Sequence, residues 1–302
     1  MPPLPCLTEF DVLLRLARAE DLGPNEDDVT SRLSIDAGVA GVGSLLQKQA
    51  GVVCGLPLVE RICAAYDPKL TVEATDAQDT NALEGTFSQA LPRQLLHIKG
   101  PLRSLLSAER VVLNFVQHLS GVATATRQFV EAVRGTGALI IDTRKTAPGY
   151  RALDKYAVLC GGGVNHRIGL YDMILIKDNH VAALPERELQ SALQAMVERS
   201  RREDPSRKIE VEVDTLEQLS QVLRVDGIDY VLLDNMDCAT LRQAVALRNA
   251  AGKRASLQLE ASGGINLHTV RDVALTGVER ISVGAITHSA PALDIGLDIK
   301  LI

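Results

Sequence analysis

Apolar and polar positions follow two different rhythms along the chain. From Thr8 to Glu20, Phe10, Val12, Leu13, Leu16 and Ala17 fall at helical spacing, which predicts a first helix. After an acidic loop from Asp21 to Asp28, short apolar stretches at Gly43 to Leu46, Gly51 to Cys54 and Leu95 to Ile98 sit between Gly, Pro and polar turns and read as strands. Leu58, Val59, Ile62 and Cys63 put a helix from Leu56 to Ala65 among them. Helices and strands thus mix without a repeating order in the first third, which predicts a small α+β domain.

A long helical pattern from Leu106 to Val133 separates this part from a regular alternation. Strand-like runs recur at Ala138 to Ile141, Met173 to Ile176, Ile209 to Val213, Tyr230 to Leu233, Leu257 to Leu259 and Arg280 to Val283. Helical patterns lie between them at Pro185 to Ser200, Thr215 to Leu223, Cys238 to Asn249 and Leu267 to Leu275. Alternation of this kind predicts a parallel sheet, either open or closed into a barrel. Six such units are visible rather than eight, so an incomplete barrel fits as well as a full one.

Every run ends in polar chemistry, and α/β barrels collect their catalytic groups on the loops after their strands. In chain order the ends carry Asp142-Thr143-Arg144-Lys145, Lys177-Asp178-Asn179-His180, Glu210 and Glu212, Asp234-Asn235, Glu260-Ala261-Ser262-Gly263-Gly264, and Gly284-Ala285. Arg144, Lys145, Arg167 and Lys177 would converge at one rim of a barrel. Any one alone reads as a solvated surface charge, but together they predict a pocket for a substrate with several negative charges, since guanidinium pairs carboxylate or phosphate through two parallel hydrogen bonds.

Ile209-Glu210-Val211-Glu212-Val213 alternates, putting both glutamates on one face. Glu212, nearer the strand end, is the stronger site candidate. With Asp234 the two glutamates could hold Mg²⁺, ribose hydroxyls or positive charge developing at a sugar carbon, although Glu210 reads equally as meeting solvent or a neighbouring Arg. Ser262-Gly263-Gly264 and Gly284-Ala285 stand where barrels commonly bind phosphate through backbone N–H groups. Gly161-Gly162-Gly163 reads as a permissive turn, because no G-x-G-x-x-G opens a helix there. His166 and His180 flank the basic cluster as possible hydrogen-bond donors or proton carriers, without metal-ligand spacing. Lys177 also stands where a Schiff-base aldolase keeps its lysine, so that chemistry remains a rival.

Composition narrows the partners. The chain has 302 residues, 46% of them hydrophobic, enough for one large barrel or two domains and too apolar for disorder. Aromatics are 3% with no Trp, leaving little for stacking single-stranded nucleic acid. A formal charge of −6 would not draw a polyanion from a distance, so any anion site must be local. Cys6, Cys54, Cys63, Cys160 and Cys238 include no C-x-x-C pair, as suits a reducing cytosol. With no export-like start and no apolar run of membrane-spanning length, the expectation is a soluble cytoplasmic protein.

The stretch Asp142 to Gly149, with Lys155-Tyr156-Ala157, Cys160 to Arg167 and Leu175 to His180, resembles the quinolinate phosphoribosyltransferase (nicotinate-nucleotide pyrophosphorylase, carboxylating) family in order and spacing. Ala108 to Asn114, Leu119 to Thr124, Glu210 to Asp214, Leu232 to Met236, Leu259 to Ile265 and Val283 to Ser289 extend the likeness over nearly the whole chain. It is weakest from Thr71 to Arg93, and Ala147 stands where the family often has threonine.

The resemblance implies an N-terminal α/β sandwich domain over 1–113, rejoined by a tail at 290–302, and an incomplete, TIM-like α/β barrel of about six strands over 114–289. It also implies a decarboxylating pentosyltransferase of NAD biosynthesis that uses Mg²⁺ with phosphoribosyl diphosphate and no organic cofactor. It further implies a homodimer with shared sites, without a nucleic-acid or membrane partner. On matching positions, Arg110 would reach a neighbouring subunit's pocket, while Arg144, His166, Arg167 and Lys177 would surround quinolinate. Lys145 would contact substrate or diphosphate, and Glu212 and Asp234 would face ribose and Mg²⁺. Lys145, Lys177, Glu212 and Asp234 would be the catalytic groups, with Ser262, Gly263, Gly264, Gly284 and Ala285 on phosphate. Two rivals of other kinds stay open: a relative linked to molybdenum transport, which should not bind quinolinate, and a non-enzymatic anion-binding module, which would not need Glu212 and Asp234.

Overall fold

The computed structural model describes residues 2, 4, 7–75, 80–177, 180 and 189–302. Cys6, Asp178, Asn179 and the start of the helix expected from Pro185 lie outside the described residues. In chain order the strands are β1 (Ala40–Gln47), β2 (Gly51–Val52), β3 (Thr71–Ala74), β4 (Phe87–Ser88), β5 (Arg93–Pro101), β6 (Leu139–Ile141), β7 (Met173–Ile176), β8 (Lys208–Val213), β9 (Tyr230–Asp234), β10 (Gln258–Ser262), β11 (Arg280–Ser282) and β12 (Ile295–Leu301). They fall into two compact units: Met1–Arg127 with Thr146–Gly162 and Ile286–Ile302, and Gln128–Lys145 with Gly163–Ala285.

The first unit is built on a four-stranded antiparallel sheet in the order β12-β1-β5-β3, with β2 paired to β4. Along β1, half-buried and buried residues alternate, the mark of a sheet covered on one face. The helix Leu56–Tyr66 buries Leu58, Val59, Ile62 and Cys63, the positions its sequence period selects. Fully burying each such aliphatic side chain stabilises the fold by about 1.5–3 kcal/mol. Glu84 accepts the N–H groups of Gly55 (2.7 Å) and Leu56 (3.0 Å), satisfying donors a helix start leaves open, and also the Tyr156 hydroxyl (2.8 Å). Burial is the largest influence on its carboxyl and, despite these bonds, leaves its pKa above the ordinary value.

The long helix runs from Leu102 to Ala132, and the units divide within it, at Arg127/Gln128 rather than at 113/114. Its middle is fastened to the first unit: Ser120 and Thr124 hydroxyls accept the N–H groups of Cys54 (2.9 Å) and Val52 (2.8 Å), and Gln117 donates to the Ile295 carbonyl (2.6 Å).

The second unit is a six-stranded, wholly parallel sheet in the order β6-β11-β10-β9-β8-β7. Its terminal strands β6 and β7 are not paired to each other, so this is the incomplete barrel, not the closed one. The strands are covered on both faces; β8 reads buried from Ile209 to Val211 and again at Val213. Intervening helices start on sequence-encoded caps. Thr215 and Gln218 form a capping box before Leu216–Val222, and Asp237 accepts the Thr240 N–H at 2.7 Å before Cys238–Ala250. The register keeps the strand ends level: Ser262 lies beside Asp234, Val213 beside Leu233, and Ser282 beside Ile141.

Candidate active site

At the carboxyl ends of these strands lies a cleft of about 610 Å³. Its lining includes Thr143, Arg144 and Lys145 after β6, His166 and Arg167 before β7, and Lys177 after it. Glu212 of β8, Asp234 and Asn235 at the end of β9, Ser262, Gly263 and Gly264 at β10, and Ser282 of β11 complete the polar part. The level register is what brings these residues together from distant parts of the sequence.

One side of the cleft is cationic. Arg144 makes no ion pair or hydrogen bond with described residues, and Arg167 donates only a long 3.3 Å bond to the Met173 carbonyl. Burial and the neighbouring Arg144 charge depress the pKa of Arg167, although Glu210 and Asp172 oppose this. Two guanidinium groups held close together without a carboxylate partner favour an anion between them. By contrast, the arginines of a cleft in the first unit are already paired, Arg18 with Glu26 at 2.9 Å and Arg32 with Asp27 at 3.0 Å.

The other side is carboxylate. Glu212 pairs with the Lys177 ammonium at 3.0 Å, so that amine is engaged by an acid. Asp234 accepts from the Asn235 side-chain amide at 2.7 Å, while the Asn235 N–H donates to the Ser262 carbonyl at 2.9 Å. Asn235 takes a left-handed φ of 53°, which asparagine tolerates better than most residues. Gly263, at φ 98°, packs so closely that a Cβ there would stand 2.1 Å from Asn235 Oδ1; at Gly264, φ 60°, a Cβ would meet nothing within 4 Å. Gly263 is therefore needed for internal packing, and Gly264 leaves its backbone open to an approaching ligand.

Beneath the cleft lies a buried charged network that the strand pattern did not reveal. Glu210, read equally as a site carboxylate or as meeting solvent or an arginine, is fully buried and accepts from His166 Nε2 at 2.8 Å. Neither alternative describes it, because both faces of β8 are covered and Glu210 is not among the residues lining the cleft. Glu260 lies 3.6 Å from the same nitrogen and accepts from Arg280 Nε at 2.7 Å and from the Ser282 hydroxyl. The Arg280 guanidinium lies 4.4 Å from the centre of the Tyr230 ring. Burial, reinforced by the charge of Glu260, raises the pKa of Glu210. For His166 burial works downward, but the Glu210 bond and the Glu260 charge outweigh it, and the net direction is upward.

Among the described residues, two clusters have metal-like composition, His166-Glu210-Glu260 and, in the first unit, Cys54-Glu84-Cys160. In the former, Arg280 and Ser282 already occupy Glu260; in the latter, Glu84 is consumed by backbone N–H groups and Tyr156. Neither donor set is open to an ion. Glu212 and Asp234 suit Mg²⁺ better, since that ion is typically held by one or two carboxylates together with substrate phosphates.

Ten of the expected site residues therefore line one cleft: Arg144, Lys145, His166, Arg167, Lys177, Glu212, Asp234, Ser262, Gly263 and Gly264. Gly284 and Ala285 stand after β11, beyond Val283, but are not among the lining residues, and Arg110 is exposed on the long helix of the first unit. His180, exposed, accepts the Lys177 N–H at Nδ1 (2.9 Å).

Known proteins resemble the chain over its length. The family model described as quinolinate phosphoribosyl transferase, N-terminal domain, matches residues 28–120, and that for the C-terminal domain matches 122–298. The chain is 41% identical to nicotinate-nucleotide pyrophosphorylase [carboxylating] of Mycobacterium leprae (strain TN), over 96% of this chain and 98% of the relative. It is 37% identical to a mitochondrial quinolinate phosphoribosyltransferase [decarboxylating] of Nicotiana glauca, over 99% of this chain and 84% of that one. The crystal structure of NadC from Streptococcus pyogenes superposes with a TM-score of 0.87 at 32% identity, covering 100% of both chains.

Proposed function

The chain belongs to the quinolinate phosphoribosyltransferase family, and from that premise we propose that the rim cleft of the second unit is where its reaction takes place. The protein is a decarboxylating pentosyltransferase: it transfers the phosphoribosyl group of phosphoribosyl diphosphate to quinolinate, giving nicotinate mononucleotide, diphosphate and CO₂ in NAD biosynthesis. The observation that supports this location is the meeting of unpaired guanidinium groups, Arg144 and Arg167, with the carboxylates Glu212 and Asp234 in one cleft.

In our reading, Arg144 and Arg167 receive the two carboxylates of quinolinate, with Lys177 close by and the ring edge of His166 lining the same pocket. Glu212 and Asp234 face the ribose, where the bond from the sugar carbon to diphosphate breaks and its electron pair leaves with the diphosphate. Their negative charge stabilises the positive charge left on that carbon, and the pyridine nitrogen closes the new bond with its lone pair. The resulting pyridinium accepts the electrons of the adjacent carbon–carboxylate bond as CO₂ departs, and a proton then replaces the carboxylate on the ring. Lys145 contacts substrate or diphosphate, and the backbone of Ser262-Gly263-Gly264, with Gly284 and Ala285 after β11, binds phosphate. Mg²⁺, held by Glu212, Asp234 and the diphosphate itself, would supply charge neutralisation for the leaving group. Holding two mutually repelling anions together is the main task of the side chains.

The same reading makes the protein a homodimer in which Arg110 completes the partner's pocket; Arg110 is exposed on its helix, as that role requires. It also places the protein in the cytoplasm: Cys54, Cys63, Cys160 and Cys238 are all free thiols. No helix among the described residues is long and apolar enough to cross a membrane. The test is release of CO₂ and formation of nicotinate mononucleotide from quinolinate, with and without phosphoribosyl diphosphate and Mg²⁺. Product that needs all three supports the reading; folded protein that forms none refutes it. Mixing inactive Arg110→Ala and Glu212→Ala proteins tests the shared site, and the reading expects partial recovery of activity.

A further inference from the structure

His166 offers the cleft less than its position suggests, because both of its ring nitrogens are already used. Nδ1 accepts the main-chain N–H of Arg167 at 2.8 Å, so that nitrogen carries a lone pair and no proton. The ring proton must then sit on Nε2, which donates to Glu210 at 2.8 Å. Glu260, the other carboxylate within reach, is taken by Arg280 and Ser282, which leaves Glu210 as the acceptor that fixes the ring. On the opposite side the fully buried Asp142 accepts the main-chain N–H of His166 at 2.8 Å. The residue before Arg167 is thereby held at its ring and at its backbone.

We propose that Glu210 is a positioning residue for substrate recognition: through His166 it fixes the main chain of Arg167, and hence where that guanidinium meets a carboxylate of the substrate. His166 then lines the cleft with its ring edge and supplies no N–H to the substrate. Glu210 never reaches the cleft; it acts two bonds of the network away. The side chain of Arg167 is only lightly held otherwise, by the 3.3 Å bond to Met173, so its placement depends on its backbone. This inference rests on the reading that the cleft binds quinolinate, and the experiment separates the two.

Steady-state turnover is measured for the parent, Glu210→Leu and Glu210→Gln proteins, varying each substrate in turn. Leucine removes the acceptor that His166 Nε2–H uses at 2.8 Å. The expected result is a quinolinate KM raised about 10- to 100-fold, the range for losing a hydrogen bond to a charged group. The KM for phosphoribosyl diphosphate should hold, and Glu210→Gln, which keeps an oxygen for Nε2–H, should return the quinolinate KM toward the parent. A folded Glu210→Leu protein with unchanged quinolinate KM, or with both KM values raised alike, overturns the proposal. If the leucine protein does not fold, ring-nitrogen NMR of the parent decides: a proton on Nδ1 of His166 overturns the proposal, and an Nε2–H tautomer supports it. A parent protein that gives no product would refute the quinolinate reading, leaving the tautomer to judge the geometry alone.

Discussion

Alanine placed at Gly263 and at Gly264 should separate packing from ligand approach at two adjacent residues. At Gly263 the new methyl would stand 2.1 Å from Asn235 Oδ1, 2.6 Å from its Cγ and 3.0 Å from its backbone nitrogen, at a φ of 98°. The side chain of Asn235 can turn away only by giving up its 2.7 Å bond to Asp234, and the backbone nitrogen can only shift with the loop. Left-handed backbone strain contributes about 1–2 kcal/mol and forced overpacking about 1–3, so Gly263→Ala should cost about 2–5 kcal/mol of stability. At Gly264 nothing lies within 4 Å, and only the strain of φ 60° remains, about 1–2 kcal/mol. Urea unfolding followed by circular dichroism measures both, and steady-state kinetics follow on the folded proteins. Gly263→Ala should lower kcat through its disturbance of Asp234. Gly264→Ala should chiefly raise the KM for phosphoribosyl diphosphate, because its methyl stands where a phosphate would approach. Equal stability losses, or a larger loss at Gly264, would refute the packing argument.

Arg167→Lys keeps the charge but cannot present two parallel N–H groups; quinolinate KM should rise about 10- to 100-fold, and an unchanged KM would contradict bidentate recognition. Asp229 joins Arg201 (2.8 Å), Lys208 (2.8 Å) and the Ile209 N–H (2.9 Å), and Asp229→Asn should cost about 1–3 kcal/mol at neutral pH. Burial opposes these bonds but they prevail, holding the carboxyl below its ordinary 3.8. Its stabilisation is therefore complete at neutral pH and fades as pH falls below that value, so parent and variant should converge in acid. A difference that widened on acidification would overturn the sign. Removing divalent ions with a chelator should abolish turnover while quinolinate still binds, as equilibrium dialysis would show, because the ion is assigned to the diphosphate side of the cleft.

The strands of the second unit were legible because short aliphatic stretches recur between helical patterns and close on polar residues, as Met173–Ile176 and Tyr230–Asp234 do, even where charged residues interrupt them as in β8. Their order across the sheet was not, since pairing β6 to β11 joins residues about 140 positions apart. The helix Arg151–Gly161 escaped the periodic reading for a related reason: Asp154 and Lys155 are buried along with Leu153, Tyr156 and Val158, so no polar face marks it. Strand β3, exposed at three of its four residues, has no apolar pattern to find. In the cleft, Arg144, Lys177, Glu212 and Asp234 announced themselves by standing at strand ends, whereas Arg167 sits on the loop before β7. Glu210 could not, because its partner His166 lies on a loop 44 positions earlier and only the folded sheet brings them within 2.8 Å. The tail at β12 was placed by family likeness; its own alternation is too short to reveal which sheet it joins.

That tail strand also gives the order of synthesis a consequence. Residues 295–301 form an outer strand of the first sheet and cover one side of β1, whose other partner, β5, lies far earlier in the chain. During translation every strand of the parallel sheet leaves the ribosome before β12 does. Until that segment emerges, β1 presents an unpaired row of backbone N–H and C=O groups to whatever strand is nearby. A nascent or truncated chain lacking this segment should therefore aggregate through β1, whereas shielding that edge, by a chaperone or by the segment supplied as a separate peptide, should rescue it.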